Sequence, residues 1–231
     1  MSLLHRLPFI VMIRLLLLLA SLVTLVYMSS IRDSNRFLDI ILEDKIPPQI
    51  RSLKHVYPFV KVPEFKFKIK STGITNRELK VKVKNGVLRG LDTGVRRVGE
   101  CQPPVLISGN VTISCILELK GINASFMVEV KGDTLVRKEK TVPVNVTVVD
   151  TVGHFAATAY PGRPGALRTF HIEKLLFHTV SDRRLSLNSE RQRSFNSEME
   201  RNLHSIIYDL FYTDYKRALE KVIESMPFPS A

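Results

Sequence analysis

The chain has 231 residues, a formal net charge of +12, two cysteines and no tryptophan. That length suits one large domain or two small ones, with ample material for a core. The charge favours acidic partners such as anionic lipid headgroups, lipopolysaccharide or sulfated glycans, although a merely solvated cationic surface has the same composition. Nucleic acid is excluded as a partner, because Phe65 and Phe67 alternate with lysines instead of sharing a face with them.

The N-terminal residues have the pattern of a secretory signal. Arg6 precedes an apolar stretch, Arg14 interrupts it, and residues 15–28 carry no charge. This run is shorter than the roughly 20 residues that a membrane-spanning helix needs. The sequence predicts a signal peptide over residues 1–29, whose removal lowers the charge from +12 to +10, and a secreted, extracellular protein. An uncleaved signal anchor is the alternative.

Two helical patterns enclose a region of alternating residues. A short amphipathic segment follows Asn35, and Pro47 and Pro48 are expected to end or kink it unless a second apolar set prolongs the helix. From Pro63 onward apolar and polar residues alternate, which indicates antiparallel strands with one dry and one wet face. The alternating sets lie within residues 65–69, 79–83, 111–119, 126–130, 142–148 and 170–177.

Two readings of Asn85-Gly86 remain open. The pair is a strong signal for a tight hairpin turn. Because apolar residues resume directly at Val87 and Leu88, a bulge within one long strand is the alternative.

The C-terminal part changes character twice. Residues 181–194 are polar, with little to bury. Ser197 and Glu200 have the spacing of a capping box, which predicts the start of an amphipathic helix. From there to Ser225 the helix would be about 40 Å long. Pro227 then prevents its continuation.

This order of elements predicts an α+β fold. A short N-terminal helix precedes a strongly curved antiparallel sheet, which wraps around the long C-terminal helix in a single domain over residues 30–231. A long helix cannot contact a strongly twisted sheet evenly along its whole length. An elongated apolar cavity is therefore expected between them.

Covalent features fit a secreted protein. Cys101 and Cys115 are predicted to form a disulfide, because an even number of cysteines in an oxidising compartment usually pairs. The rival, a metal site, would be half complete with two thiols and no histidine between them. Three Asn-x-Ser/Thr motifs, at Asn110, Asn123 and Asn145, predict glycans at the surface.

The sequence carries no catalytic signature. It contains no nucleophile elbow, P-loop or dinucleotide-binding motif, and no two of its six histidines stand two or four positions apart. We therefore expect a protein that is not an enzyme, with no metal and no other cofactor.

The run Glu78–Leu91, followed by Val95–Gly99, resembles the early strands of the mite group-7 allergens. These belong with the arthropod takeout and juvenile-hormone-binding proteins and, more distantly, with bactericidal/permeability-increasing protein. The order of elements is similar over most of the chain after the signal. The resemblance implies a secreted tubular lipid-binding domain over residues 30–231 with a hydrophobic pocket. Takeout-like proteins usually have a cysteine pair near the mature N terminus, which this chain lacks, so the resemblance does not identify the ligand.

Two functions follow. The first is a secreted carrier that holds a lipid, isoprenoid or glycolipid between the sheet and the long helix. The alternative is an extracellular interaction protein that binds anionic glycans or membrane surfaces through its cationic face, in which case the same apolar residues form a closed core. The predicted lining consists of Phe65, Phe67, Ile69, Val81, Val83, Leu117, Phe126, Val128, Val144, Val146, Ile207, Leu210, Phe211 and Tyr215.

Overall fold

The computed structural model describes Arg14 and residues 31–71, 78–132, 139–160 and 163–229. Apart from Arg14, the predicted signal peptide over residues 1–29 lies outside the described residues. None of the described helices combines the length and the apolar character that spanning a bilayer requires.

A nine-stranded antiparallel sheet forms the body of the protein, with helices at both ends of the chain, so the predicted α+β fold is confirmed. The strands are β1 (Val60–Val62), β2 (Phe65–Ile69), β3 (Leu79–Arg89), β4 (Val95–Val98), β5 (Val105–Ile107), β6 (Asn110–Leu119), β7 (Asn123–Lys131), β8 (Lys140–Ala159) and β9 (Ala166–Ser181). Helix α1 is described over residues 31–52 and helix α2 over residues 189–224.

The long strand β8 organises the sheet. β9 runs along one edge of β8, whereas β7 and β6 share its other edge, each paired with a different half. Beyond β7 lie β3 and then β1 and β2; beyond β6 lie β4 and β5. The sheet is open and has two arms, which we call the β7 arm and the β6 arm. The pairing is irregular between Val149 and Gly153, where the arms diverge.

Alternation of side chains fixes the two faces of the sheet. Buried and more exposed residues alternate along β6, β7 and most of β8. Strand side chains point to opposite faces in turn, so the apolar set of each strand meets the others on one inner face. The interior predicted from this period is therefore confirmed as the protein core.

The alternative of a bulge at Asn85-Gly86 is confirmed, and the hairpin is wrong. β3 continues through this site, and its register with β7 shifts between Lys84 and Val87. Asn85 has φ of 50°. A Cβ on Gly86 would lie 2.7 Å from Phe126 Cε1, so the close approach to β7 requires glycine.

Helix α1 continues through its prolines instead of ending there. Ile40–Lys45 is a π-helical turn, and Ile46–Ser52 is α-helical with proline in its first turn. The widened turn accommodates residues that lack an N–H donor. The Arg97 guanidinium makes two hydrogen bonds to the Asp39 carboxylate, at 2.9 and 2.7 Å, which tie α1 to β4. This contact raises the pKa of Arg97.

Helix α2 begins earlier than the capping-box spacing predicts. Its α-helical part starts with Ser189–Leu210, and the Asn188 side chain caps it by accepting a hydrogen bond from the Arg191 N–H at 2.9 Å. Phe195 is fully buried and packs on Phe67 of β2, so tertiary packing extends the helix into the polar segment that precedes the predicted start. The Ser197-based start is wrong. A π-helical turn, Phe211–Tyr215, and an α-helical end, Lys216–Glu224, complete α2.

Candidate binding surfaces

The predicted ligand-lining residues all lie in one packed interior. Eleven of the fourteen are buried, and Phe65, Phe67 and Leu210 are partly buried against the same core. The Phe67 ring packs on Phe195 of α2, with centroids 5.7 Å apart, and the Phe65 ring packs on Phe126 of β7, with centroids 6.2 Å apart. The inward parity predicted for the strand residues agrees with their burial. Whether a ligand can enter this interior stays a prediction.

Phe211 lies in a closely packed aromatic cluster of this interior. Its side chain is 0% exposed, and its ring centroid lies 5.0 Å from that of Tyr215 and 6.2 Å from that of Phe170. The Tyr215 ring stacks on Phe170 at 5.6 Å, and burial raises the pKa of the Tyr215 hydroxyl. Phe170 belongs to this cluster, and Phe195 packs on Phe67 nearer the start of α2; the predicted lining omits both. Phe170 sits at an inward strand position that alternation already indicates, whereas Phe195 lies before the predicted helix start.

Two tyrosines fix α2 to β9. The Tyr208 hydroxyl donates to the Ile172 carbonyl, and the Ile172 N–H donates to the Tyr212 hydroxyl, each at 3.0 Å. The Tyr212 hydroxyl also lies 3.0 Å from His171 Nδ1. Edge strands carry backbone groups with no strand partner on one side, and these hydroxyls satisfy two of them at β9. Desolvation raises the pKa of Tyr208, with a smaller contribution from Tyr212.

The disulfide prediction is confirmed. Cys101 and Cys115 are bonded, and both are buried. The Cys101 N–H donates to Asn35 Oδ1 at 2.8 Å, so the bridge joins α1 to β6 through the segment before β5.

The three glycosylation motifs lie on β6, β7 and β8, with their asparagines at outward-facing positions. Asn123 and Asn145 are exposed, and Asn110 is half-buried at the start of β6. Asn123 is opposite Thr147, and Ser125 is opposite Asn145, so two motifs lie side by side across β7 and β8. Occupancy by glycan stays a prediction.

Two histidines that are distant in the sequence lie side by side in the sheet. His154 and His171 are cross-strand partners on β8 and β9, and their rings stack at 6.5 Å. His154 Nε2 lies 2.6 Å from Glu173 Oε2, and this hydrogen bond is the main cause of the lowered pKa of Glu173. Among the described residues no group of three or more His, Cys, Asp or Glu side chains is arranged to hold a metal ion.

A cationic trough crosses the outer face of the β7 arm. In one row, Lys68 of β2 is opposite Lys80 of β3, which is opposite Lys131 of β7. The neighbouring row is Lys66, Lys82 and Glu129. The backbone of Phe67, Val81 and Val130 lies between the rows as a floor, and Glu139 completes a cleft of about 520 Å³. We call this cleft the lysine trough.

Acidic residues neutralise only part of the trough. Lys68 pairs with Glu78 at 3.3 Å, Lys82 with Glu64 at 3.4 Å, and the adjacent Lys84 with Glu129 at 2.5 Å. The hydrogen bond to Glu129 is the main cause of the raised pKa of Lys84.

Three exposed lysines of the lysine trough are not among these ion pairs. Within the described ranges, Lys66, Lys80 and Lys131 have no acidic group within 4 Å. Like charges at directly opposed positions destabilise a sheet. An anion lying across the strands would relieve this repulsion, so the geometry suits an extended anionic ligand.

Fold and surface together define an α+β protein with an internal disulfide, an apolar core and a cationic cleft. No protein-family model matches the chain. The chain is 38% identical over 202 residues to the salivary anticoagulant protein P23 of the tick Ixodes scapularis, an alignment that covers 87% of this chain and 91% of that protein. The chain therefore belongs to the same family as this tick salivary protein. The relative supports the prediction of an arthropod secreted protein, while membership of the mite-allergen and takeout group stays a prediction.

Proposed function

We propose that the protein is an extracellular, non-enzymatic anticoagulant that acts by binding, and that the lysine trough is its site for an anionic glycan. The observation that carries the proposal is the direct alignment of Lys68, Lys80 and Lys131 across three strands. The similarity to a salivary anticoagulant protein supports the extracellular location and the anticoagulant activity in this proposal. Neighbouring strands are about 4.8 Å apart, so the row offers positive charge at regular intervals along a line about 10 Å long.

A linear sulfated glycan fits this arrangement better than a compact anion does. Its charges are spaced along a chain, and it can lie across the strands between the two rows of side chains. The aliphatic stems of the lysines supply apolar walls, while their ammonium groups contact sulfates from both sides. Attraction of this kind concentrates the ligand at the cleft and weakens steeply with salt.

The test compares two variants of equal net charge. Replacing Lys66, Lys80 and Lys131 with glutamine removes the three trough charges that form no ion pair with a described acidic residue. The matched control replaces Lys54, Lys174 and Lys221, which are exposed elsewhere, with glutamine. Calorimetric titration with a heparin-derived oligosaccharide should show a loss of affinity of at least about tenfold for the trough variant and little change for the control. Equal losses in the two variants would contradict a site at the trough.

The anticoagulant part of the proposal has its own measurement. The native protein should delay thrombin generation in plasma, and the trough variant should lose this effect while the control keeps it. A native protein that leaves thrombin generation unchanged contradicts the proposed activity, whatever it binds.

A carrier for a hydrophobic ligand is the second candidate, supported by the apolar core that contains, or is packed against by, the fourteen predicted lining residues. Entry of a ligand beside Phe211 requires its aromatic neighbours to move, because the Phe211 ring is fully buried against those of Tyr215 and Phe170. Native mass spectrometry of the secreted protein, followed by organic extraction, tests it. Absence of extracted lipid, together with no binding of a long-chain fluorescent lipid, contradicts the carrier function.

A further inference from the structure

Exposed apolar side chains cluster at one end of the β6 arm. β5 consists of Val105, Leu106 and Ile107, which are 52%, 63% and 57% exposed, and Tyr160 is 58% exposed. Tyr160 belongs to the same cluster, since a Cβ added to Gly109, in the turn between β5 and β6, would lie 3.3 Å from Tyr160 Cε1. We call Val105, Leu106, Ile107 and Tyr160 the apolar tip.

The apolar tip projects on both faces of the sheet. Leu106 is opposite Val111, whose side chain is buried on the inner face, yet Leu106 extends beyond the core. Ile107 is opposite Asn110 and lies on the outer face, because cross-strand partners share a face. A flat protein surface can cover one side of such a strand but not both. Lipid chains can surround it.

The strand segments at the tip carry no acidic residue. The sequence has no Asp or Glu over residues 101–117 and 151–172, which include β5, the adjoining part of β6, the end of β8 and the start of β9. Arg163 and Arg168 are exposed there, and neither has an acidic group within 4 Å in the part of the chain that the structure describes. Arginines beside apolar side chains complement an anionic bilayer, whose headgroups attract the cations while the acyl region accepts the apolar groups. A second copy of the chain would bring like charges together instead.

We infer that the apolar tip inserts into the surface of anionic phospholipid membranes and holds the protein there reversibly. The partner is a lipid surface, not a single lipid in the interior. The inference does not depend on the lysine trough, which lies on the other arm.

The absence of tryptophan from the chain allows a direct test. Leu106→Trp places one indole at the tip, and Leu176→Trp places one at another exposed apolar position, 44% exposed on β9, as the control. With vesicles of phosphatidylcholine containing about one quarter phosphatidylserine, emission from position 106 should shift to shorter wavelength and be quenched by brominated acyl chains. Emission from position 176 should not change. Equal quenching at both positions would overturn the inference.

A second measurement uses the secreted protein without tryptophan. Co-flotation with the same vesicles should fall at least about tenfold in Leu106→Thr/Ile107→Thr and remain unchanged in Leu176→Thr/Val180→Thr. These positions are exposed, so threonine should leave the fold intact.

Three results would overturn the inference. One is no binding of the secreted protein to the vesicles. Another is binding that survives the tip variant and disappears in the trough variant, which would place the lipid at the lysines. The third is binding only after Asn110→Gln, because the glycan would then cover the tip.

Discussion

Lys80 of β3 and Lys131 of β7 are direct cross-strand partners, so two ammonium-bearing side chains leave the outer face at adjacent positions. Opposed like charges destabilise a sheet by some tenths of a kcal/mol. An anion bound across the two side chains would offset this repulsion. Stability and binding should therefore respond in opposite directions when one of these charges is reversed.

Lys131→Glu tests that opposition. The change replaces a repulsive pair with an attractive one and should raise the free energy of unfolding by about 0.5 kcal/mol, measured by urea denaturation. The same change should lower the affinity for a heparin-derived oligosaccharide at least about tenfold. A variant that gains stability and keeps full affinity would show that the trough is not the glycan site.

Loss of the disulfide should weaken the whole domain. Replacing Cys101 and Cys115 with alanine opens a loop of 14 residues' separation and should cost about 3 kcal/mol by the chain-entropy estimate. Denaturation of the variant measures the loss. Mass mapping without reduction should find the two cysteines linked in native protein, and two alkylatable thiols there would contradict the pairing.

Phe211 separates packing from ligand binding. Phe211→Asp buries a carboxylate among aromatic rings and should unfold the domain, whereas Phe211→Leu should cost about 1 kcal/mol because it keeps an apolar side chain of similar size. If the interior admits lipid, Phe211→Leu should change the affinity for a fluorescent lipid while the thermal midpoint changes little. If neither the native protein nor a folded Phe211→Leu variant binds the fluorescent lipid, the result supports a closed core.

Glu200 should make the stability depend on pH. Desolvation raises its pKa in the folded protein, so its charged form costs stability above both the folded and unfolded pKa values. The cost disappears as the pH falls below the unfolded value of about 4.3. Glu200→Gln should therefore gain less than about 1 kcal/mol at pH 7, after allowance for solvent screening, and nothing near pH 3.

Asp209→Asn, which removes an exposed charge from the same helix, is the matched control for Glu200. Unfolding curves at both pH values measure each variant. A gain of equal size for Glu200→Gln at pH 3 and pH 7 would contradict an origin in desolvation.

Glycan should be present on protein secreted by a eukaryotic host. Enzymatic removal of N-glycans should increase mobility in a gel, and Asn123→Gln and Asn145→Gln should each abolish one modified peptide because both side chains are exposed. Unchanged mobility and no modified peptide would exclude glycosylation at these motifs.

The sequence by itself determined the faces of the sheet, the order of the elements and the disulfide. Alternation is a local property: once Val81 faces inward, the pleat turns Lys80 and Lys82 outward whatever lies beside them. The disulfide follows from the cysteine count: Cys101 and Cys115 are the two cysteines of a chain predicted to enter an oxidising compartment. The distance between them in space is not needed for that prediction.

Only the tertiary structure decided which outward residues meet. Register between distant strands sets Lys68, Lys80 and Lys131 in one row and brings His154 beside His171, positions that no spacing along the chain relates. The start of α2 also depends on a tertiary contact. Burial of Phe195 against β2 stabilises the first turns of the helix, which the local polar sequence does not favour. The burial of Phe211 depends on how closely α2 approaches the sheet, and no local pattern in the sequence sets that distance.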